Sequence, residues 1–172
     1  PYTEVVHAIN EDQARTGATV PCWFIFDGRF RQNYPAGPML PAGIQPDKKL
    51  PKEWWGKALF KADSIAALAG QIGVDAGTLA QTVDNMNRYA ADGKDPEFGK
   101  GDDVFQRYYA DPRITPNPCL APIVKAPFYA LAVTPGEIGT KGGLLTDERA
   151  RVLRDDGSVI DGLYAIGNCS AA

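Results

Sequence analysis

Between Tyr34 and Pro51 the chain sets Pro35, Pro38, Pro41, Pro46 and Pro51 among Gly37 and Gly43. Proline has no amide hydrogen and restricts the residue before it, so no regular hydrogen-bond ladder runs through that spacing. The stretch is expected to be a loop lying over a surface or a pocket. A second tract, Pro112, Pro116, Pro118 and Pro122, keeps the chain extended or turning. Regular elements must fit around these two tracts.

Ahead of the first tract, Pro1 to Gly17 has mixed polarity and holds the only histidine, His7. Val20-Pro-Cys-Trp-Phe-Ile-Phe-Asp27 is a short apolar and aromatic run bounded by Pro21 and Gly28, which suits a buried strand. After the tract, Leu59 to Ser64 leads into a helix over Ile65-Ala-Ala-Leu-Ala69. Ser64 or Asp63 can cap its first turn, and Gly70 and Gly73 limit it. A second helix begins near Asp75 and places Leu79, Thr82, Val83, Met86 and Tyr89 on one face before Asp92-Gly93 closes it. A polar stretch follows with Phe98, Phe105, Tyr108 and Tyr109 among its charges. The last third reads as a strand over Phe128 to Val133, a glycine-rich connection from Gly136 to Gly143, and short strands at Leu144 to Asp147 and Ala150 to Leu153. Asp155-Asp-Gly157 has hairpin composition, and a final strand, Gly162 to Ile166, runs into Gly167-Asn-Cys-Ser170.

The net charge of -3 comes from acidic and basic residues that are interspersed, with no basic stripe. Nucleic acid and anionic membrane are therefore poor partners, and a neutral or weakly charged ligand fits better. Cys22, Cys119 and Cys169 are far apart and odd in number, which reads as a reducing, cytoplasmic setting. No apolar run approaches the roughly 20 residues of a membrane span, and no signal-peptide pattern opens the chain. One histidine and three dispersed cysteines do not supply a metal site. No G-x-S-x-G elbow, phosphate loop or G-x-G-x-x-G turn is present.

The stretch that carries chemistry runs from Pro127-Phe-Tyr-Ala130 through Pro135-Gly-Glu-Ile-Gly-Thr-Lys-Gly-Gly-Leu144, Thr146-Asp147 and Ala150-Arg-Val-Leu153 to Ile160-Asp-Gly-Leu-Tyr-Ala-Ile-Gly-Asn168. In this order it resembles the closing part of the fumarate reductase and succinate dehydrogenase flavoprotein superfamily. More narrowly, Pro-Gly-x-Ile-Gly-Thr-Lys-Gly-Gly and Gly-Asn-x-Ser-Ala are similar to the bacterial 3-ketosteroid Δ1-dehydrogenases. Glycine suits a flavin site because it lacks Cβ and tolerates positive φ, so backbone can approach the cofactor closely.

The resemblance implies an α+β fold, with residues 1–125 a substrate (catalytic) domain and residues 126–172 the returning strands of an incomplete FAD-binding domain. It implies FAD as cofactor, a steroid substrate, an electron acceptor, and further N- and C-terminal parts of the same enzyme. FAD contact falls on Gly142, Gly143, Gly167, Asn168, Ser170 and Ala171. The implied reaction takes a proton from C2 of the steroid A ring and a hydride from C1 to flavin N5. A family tyrosine that handles the proton is matched to Tyr34 in Arg31-Gln-Asn-Tyr34, with Tyr129 in Phe128-Tyr-Ala as the other candidate; the alternative for Tyr34 is a tyrosine packed under the proline-rich loop. Trp23, Phe26 and Tyr129 are candidates for the steroid pocket, with ordinary core roles as the alternative for this aromatic run and a strand residue with a buried hydroxyl bond for Tyr129. The carbonyl-polarising tyrosine of the family belongs to a Tyr-Pro-Gly-x-Gly segment past the end of this sequence. Three other readings stand beside this one: a 3-ketosteroid Δ4-(5α)-dehydrogenase, a fumarate or enoate reductase, and a fragment without activity that keeps a hydrophobic binding surface.

Overall fold

The computed structural model describes residues 2–136 and 142–171; Glu137 to Lys141 of the glycine-rich motif lie outside them. The chain divides into two compact units, Pro1–Thr134 and Pro135–Ala172. The strand Phe128–Val133 is hydrogen-bonded within the first unit.

Among the described residues the α-helices of the first unit are α1 Tyr2–Thr16, α2 Gly28–Asn33, α3 Ile65–Ile72, α4 Ala76–Asp92 and α5 Val104–Tyr108. Its sheet has strands β1 Cys22–Phe26, β2 Leu59–Ala62 and β3 Phe128–Val133, ordered β1-β3-β2 and antiparallel throughout. Leu59 to Ala62 differs from its expected role as the approach to a helix. It pairs with β3 as an edge strand, and only then does Ser64 cap α3 by accepting the amide of Ala67. Asp75 caps α4 in the same manner at Thr78, and Gly73 and Gly93 end the two helices in the left-handed conformation that glycine adopts at least cost. Within α4, Val83 and Ala90 are buried, whereas Thr82 is exposed and returns its hydroxyl to the carbonyl of Thr78. The charged stretch that follows contains a short helix, α5, which its scattered aromatics did not foretell; Phe105, Tyr108 and Tyr109 are exposed on or beside it.

Alternation along the strands gives the sheet two different apolar faces. On one, Phe26 and Tyr129 are register partners with parallel rings 5.3 Å apart, joined by Leu59 and Leu131. The proline-rich loop covers this face with Ala36, Met39 and Leu50, so the loop is a part of the core. On the other, Trp23, Ile25, Phe60 and Ala130 pack against Leu68 and Ile72 of α3.

The extended tract before β3 is held by side chains. Asn87 of α4 brackets Ile123, accepting its amide at 2.6 Å and donating to its carbonyl at 3.3 Å. Asn117, buried, donates to the carbonyls of Gly93 and Lys100. Asp27, 1 % exposed, caps α2 through the amide of Phe30 at 2.8 Å and also accepts the amides of Val124 and Lys125 at 3.2 and 3.0 Å. The next residue, Gly28, is closely approached: a Cβ there would sit 3.0 Å from the carbonyl oxygen of Ala126 and 3.1 Å from that of Lys125, so a side chain would press on the returning backbone.

The second unit contains β4 Leu144–Leu145, β5 Arg151–Leu153, β6 Val159–Tyr164 and β7 Ser170–Ala171. β4 pairs parallel with β7, and β5 pairs antiparallel with β6 across the expected turn, where Gly157 has φ +81. Asp147 organises the start of β5, accepting the amides of Arg149 and Arg151 and the Arg151 guanidinium at 2.7 Å.

Asp27→Ala removes a helix cap and the acceptor of the Val124 and Lys125 amides, which is expected to cost about 2 kcal/mol. A lowered thermal midpoint in near-ultraviolet circular dichroism checks this, and an unchanged midpoint contradicts it.

Candidate functional site

Tyr34 is set by helix geometry. It is the C-cap of the six-residue helix α2, its amide donates to the carbonyl of Phe30 at 2.9 Å, and its ring packs 5.1 Å from that of Phe30. Its hydroxyl donates to Oδ2 of Asp111, which arrives on the proline-rich tract. Asp111 is in turn gripped by Arg113, through the backbone amide at 2.9 Å, Nε at 2.9 and 3.1 Å and Nη2 at 2.7 Å. Hydrogen bonds from Arg113 and then from Tyr34 hold the Asp111 carboxyl far below the usual carboxylate range. These residues, with Arg29, Asn33 and Ile114, line a cavity of about 220 Å³. That is smaller than the usual ligand pocket and has room for one end of a bulky ligand.

A larger concavity of about 490 Å³ lies beside Arg31, Asp47, Lys61 and Tyr129. Its polar groups are committed to each other. Asp47 accepts Nε of Arg31 at 3.0 Å, Nζ of Lys61 at 2.8 Å and the hydroxyl of Tyr129 at 2.8 Å. Arg31, 2 % exposed, also donates Nη1 and Nη2 to the carbonyls of Leu40 and Gln45. Burial works against the charged form of Asp47, but the bonds from Lys61 and Tyr129 and the charges of Lys61 and Arg31 outweigh it and bring its carboxyl below the ordinary range. Tyr129 is pushed up by burial and by its bond to Asp47, so it stays a neutral phenol. This network fastens the proline-rich loop onto the sheet.

The aromatic candidates separate. Phe26 and Tyr129 are stacked inside the loop-covered core. Trp23 is on the opposite face of the sheet, edge-on to Phe60 with centroids 5.4 Å apart. Asp111 and Arg113, the partners of Tyr34, were not foreseen. Asp111 lies 77 residues from Tyr34, and an Asp-Pro-Arg sequence reads locally as a turn.

In the second unit, Gly142 takes φ +131 and Gly167 φ +65, and a Cβ on either would meet nothing within 4 Å. Both therefore border open space with backbone bare for close approach. Gly143 is different, since a Cβ there would fall 2.3 Å from the carbonyl oxygen of Cys169. It is glycine because the chain at Cys169 and Ser170 crosses it, which sets the β4–β7 pairing. Asn168 is exposed in a 3-10 turn, Ser170 returns its hydroxyl to the Gly167 carbonyl at 3.0 Å, and Ala171 pairs with Leu145. Open glycine backbone beside an exposed amide and a hydroxyl suits the hydroxyl and phosphate groups of a dinucleotide. Among the described residues no cluster of metal-ligating side chains occurs, and no helix is long and apolar enough to cross a membrane.

Mixed helices and sheet with these bare glycines are compatible with a dinucleotide-binding class. The chain belongs to the FAD binding domain family, whose profile matches residues 1–172, and FAD is accordingly its cofactor. Its relatives narrow this further. It is 43% identical over its whole length to a 3-oxosteroid 1-dehydrogenase of Comamonas testosteroni, and 40% identical over 99% of its length to one of Mycobacterium tuberculosis. It superposes with TM-score 0.88 and 57% identity, over 99% of its length, on the crystal structure of 3-ketosteroid delta1-dehydrogenase from Sterolibacterium denitrificans in complex with 1,4-androstadiene-3,17-dione. It covers 30% of that solved chain, and it spans about 30% of the length of the two curated relatives.

Gly143→Ala is expected to part β4 from β7 and lower flavin retention in the purified flavoprotein, read as the ratio of visible to ultraviolet absorbance. Asp47 supplies a pH test. Because its folded carboxyl ionises below its unfolded value, its stabilisation is present above the carboxylate range and is lost as pH falls through the folded value. The midpoint difference between the wild type and Asp47→Asn should therefore be large near about pH 6 and shrink toward about pH 3.

Proposed function

We propose that the whole protein catalyses FAD-dependent 1,2-dehydrogenation of 3-ketosteroids. The observation that carries this reading is the match over nearly the entire chain to a steroid dehydrogenase solved with its dienone product bound. On this reading the α+β first unit belongs to the substrate domain, and the second unit, with its strands from Leu144 onward, is a returning part of the FAD-binding domain. The exposed Leu144, Leu145, Tyr164 and Ile166 support that assignment. A two-stranded parallel ladder such as β4–β7 is normally interior to a larger sheet, and further strands of the same domain are the natural cover.

Bound FAD supplies the acceptor for the hydride leaving C1. The work of this chain is to hold the cofactor and to take the C2 proton. Gly142 and Gly167 offer backbone to the flavin, Asn168 and Ser170 offer polar groups to its ribityl or phosphate oxygens, and Gly143 and Ala171 keep that turn in register. Tyr34 takes the proton that the neighbouring C3 carbonyl makes acidic. Trp23, Phe26 and Tyr129 serve the pocket indirectly, as the two cores that keep β1 and α2 in place.

A dicarboxylate reductase is disfavoured by the charges at hand. Arg113 is paired with Asp111 and Arg31 with Asp47, so Arg29 is the one cation lining the smaller cavity without a carboxylate partner among the described residues. His7 is exposed on α1.

The test uses the full-length flavoprotein with androst-4-ene-3,17-dione and an artificial electron acceptor. Turnover to the 1,4-diene is expected, and Tyr34→Phe should lower kcat by a factor on the order of 10²–10⁴. Turnover of fumarate without turnover of steroid would move the protein to the reductases. A 4-ene product from a 5α-reduced steroid, in place of the 1-ene, would make it a Δ4-(5α)-dehydrogenase.

A further inference from the structure

The short helix α5 is built inside out. Its polar side is bonded to its own chain: Asp103 caps it by accepting the amide of Gln106 at 2.8 Å, the Gln106 side chain accepts the amide of Gly101 at 2.8 Å, and Nε of Arg107 donates to the Gly101 carbonyl at 2.5 Å. Val104, Phe105, Tyr108 and the C-cap Tyr109 fall at spacings of three and four, so they share the other side. A helix at a protein surface normally turns such a stripe to the core. Here the four residues are between 67 and 84 % exposed. We propose that this face is the contact between two copies of the whole protein, related by a two-fold axis.

The face is continuous and firm. The ring of Tyr109 stands edge-on to those of Phe105 and Tyr108, with centroids 5.1 and 5.0 Å apart. Behind it, Gly101 lies so close to buried Asn117 that a Cβ would run into that side chain, which ties the polar side of α5 to the anchored tract. Rings held in place beforehand lose little freedom when a partner arrives. With about 150–250 Å² for each aromatic side chain, the face offers on the order of 500 Å² of aromatic and aliphatic surface. That is the greater part of the roughly 800 Å² that each partner contributes to a stable interface.

The charges beside the rings select the occupant. Exposed Lys100 and Arg107 are balanced by exposed Asp102 and Asp103. A two-fold axis through the rings brings the cations of one copy to the anions of the other, which is the self-complementarity that a contact between identical patches requires. A strongly acidic or basic partner, an anionic membrane among them, requires a rim of one sign. None of these residues lines either described concavity, so association is separate from the steroid chemistry proposed above.

The test applies sedimentation velocity and amide hydrogen exchange to the full-length flavoprotein across the micromolar range. A dimer is expected, with the amides of residues 105–109 exchanging more slowly as concentration rises. Tyr108→Glu sets two like charges together at the axis and should weaken association on the order of 10²-fold, while flavin content and steroid turnover stay at the wild-type level. Phe105→Ser, which removes ring surface without adding charge, should act in the same direction and serves if the glutamate variant does not hold flavin. A protein that is monomeric throughout this range overturns the proposal, as does a dimer whose association neither substitution changes. Protection of residues 105–109 that is independent of concentration assigns the cover to another part of the same chain and overturns it as well.

Discussion

One buried carboxylate holds the first unit together. Asp27 accepts three amides, one at the head of α2 and two from the tract that returns before β3. A six-residue helix has almost no stability of its own, so α2 exists because Asp27 caps it and because Phe30 packs against the core. Everything that α2 carries inherits this dependence. Arg31 projects from it into the Asp47 network, and Tyr34 closes it. The same carboxylate brings residues 124 and 125 alongside, which starts β3 in register between β1 and β2.

Polar side chains do the fastening where proline forbids ladders. The loop over the sheet is attached by Arg31, Lys61 and Tyr129 converging on Asp47, and the tract from 110 to 127 by Asn87, Asn117 and Asp27. Each anchor is satisfied: none of the described buried side-chain polar atoms lacks a partner. That is the condition under which polar groups can be interior at all, since an unpaired one costs more than the bond it replaces.

Local chemistry made part of this legible. The apolar run at β1, the Ser64 and Asp75 caps and the glycine stops of α3 and α4 follow from short-range rules, and the motif order from Pro127 to Asn168 carried the flavoprotein resemblance. What escaped notice depends on distance. Leu59 to Ala62 is too short to announce a strand, and becomes one because β3 offers a free edge. Tyr34 could be singled out by its neighbours, but its partner Asp111 could not, because nothing in Asp-Pro-Arg tells which tyrosine will come to it. Gly142, Gly143 and Gly167 look alike in sequence, yet Gly143 answers to the crossing backbone of Cys169 while the other two face open space.

The spacing of Asp111 and Arg113 has an effect on the order in which the site is assembled. Closing a contact over two residues is entropically far easier than closing the one over 77 residues that joins Asp111 to Tyr34. The carboxylate thus acquires its counter-ion while the chain is still open to water, and reaches the phenol as half of an ion pair. The arrival of Tyr34 then completes a cluster whose charge was neutralised beforehand, on a pair whose Arg113 side stays open to water.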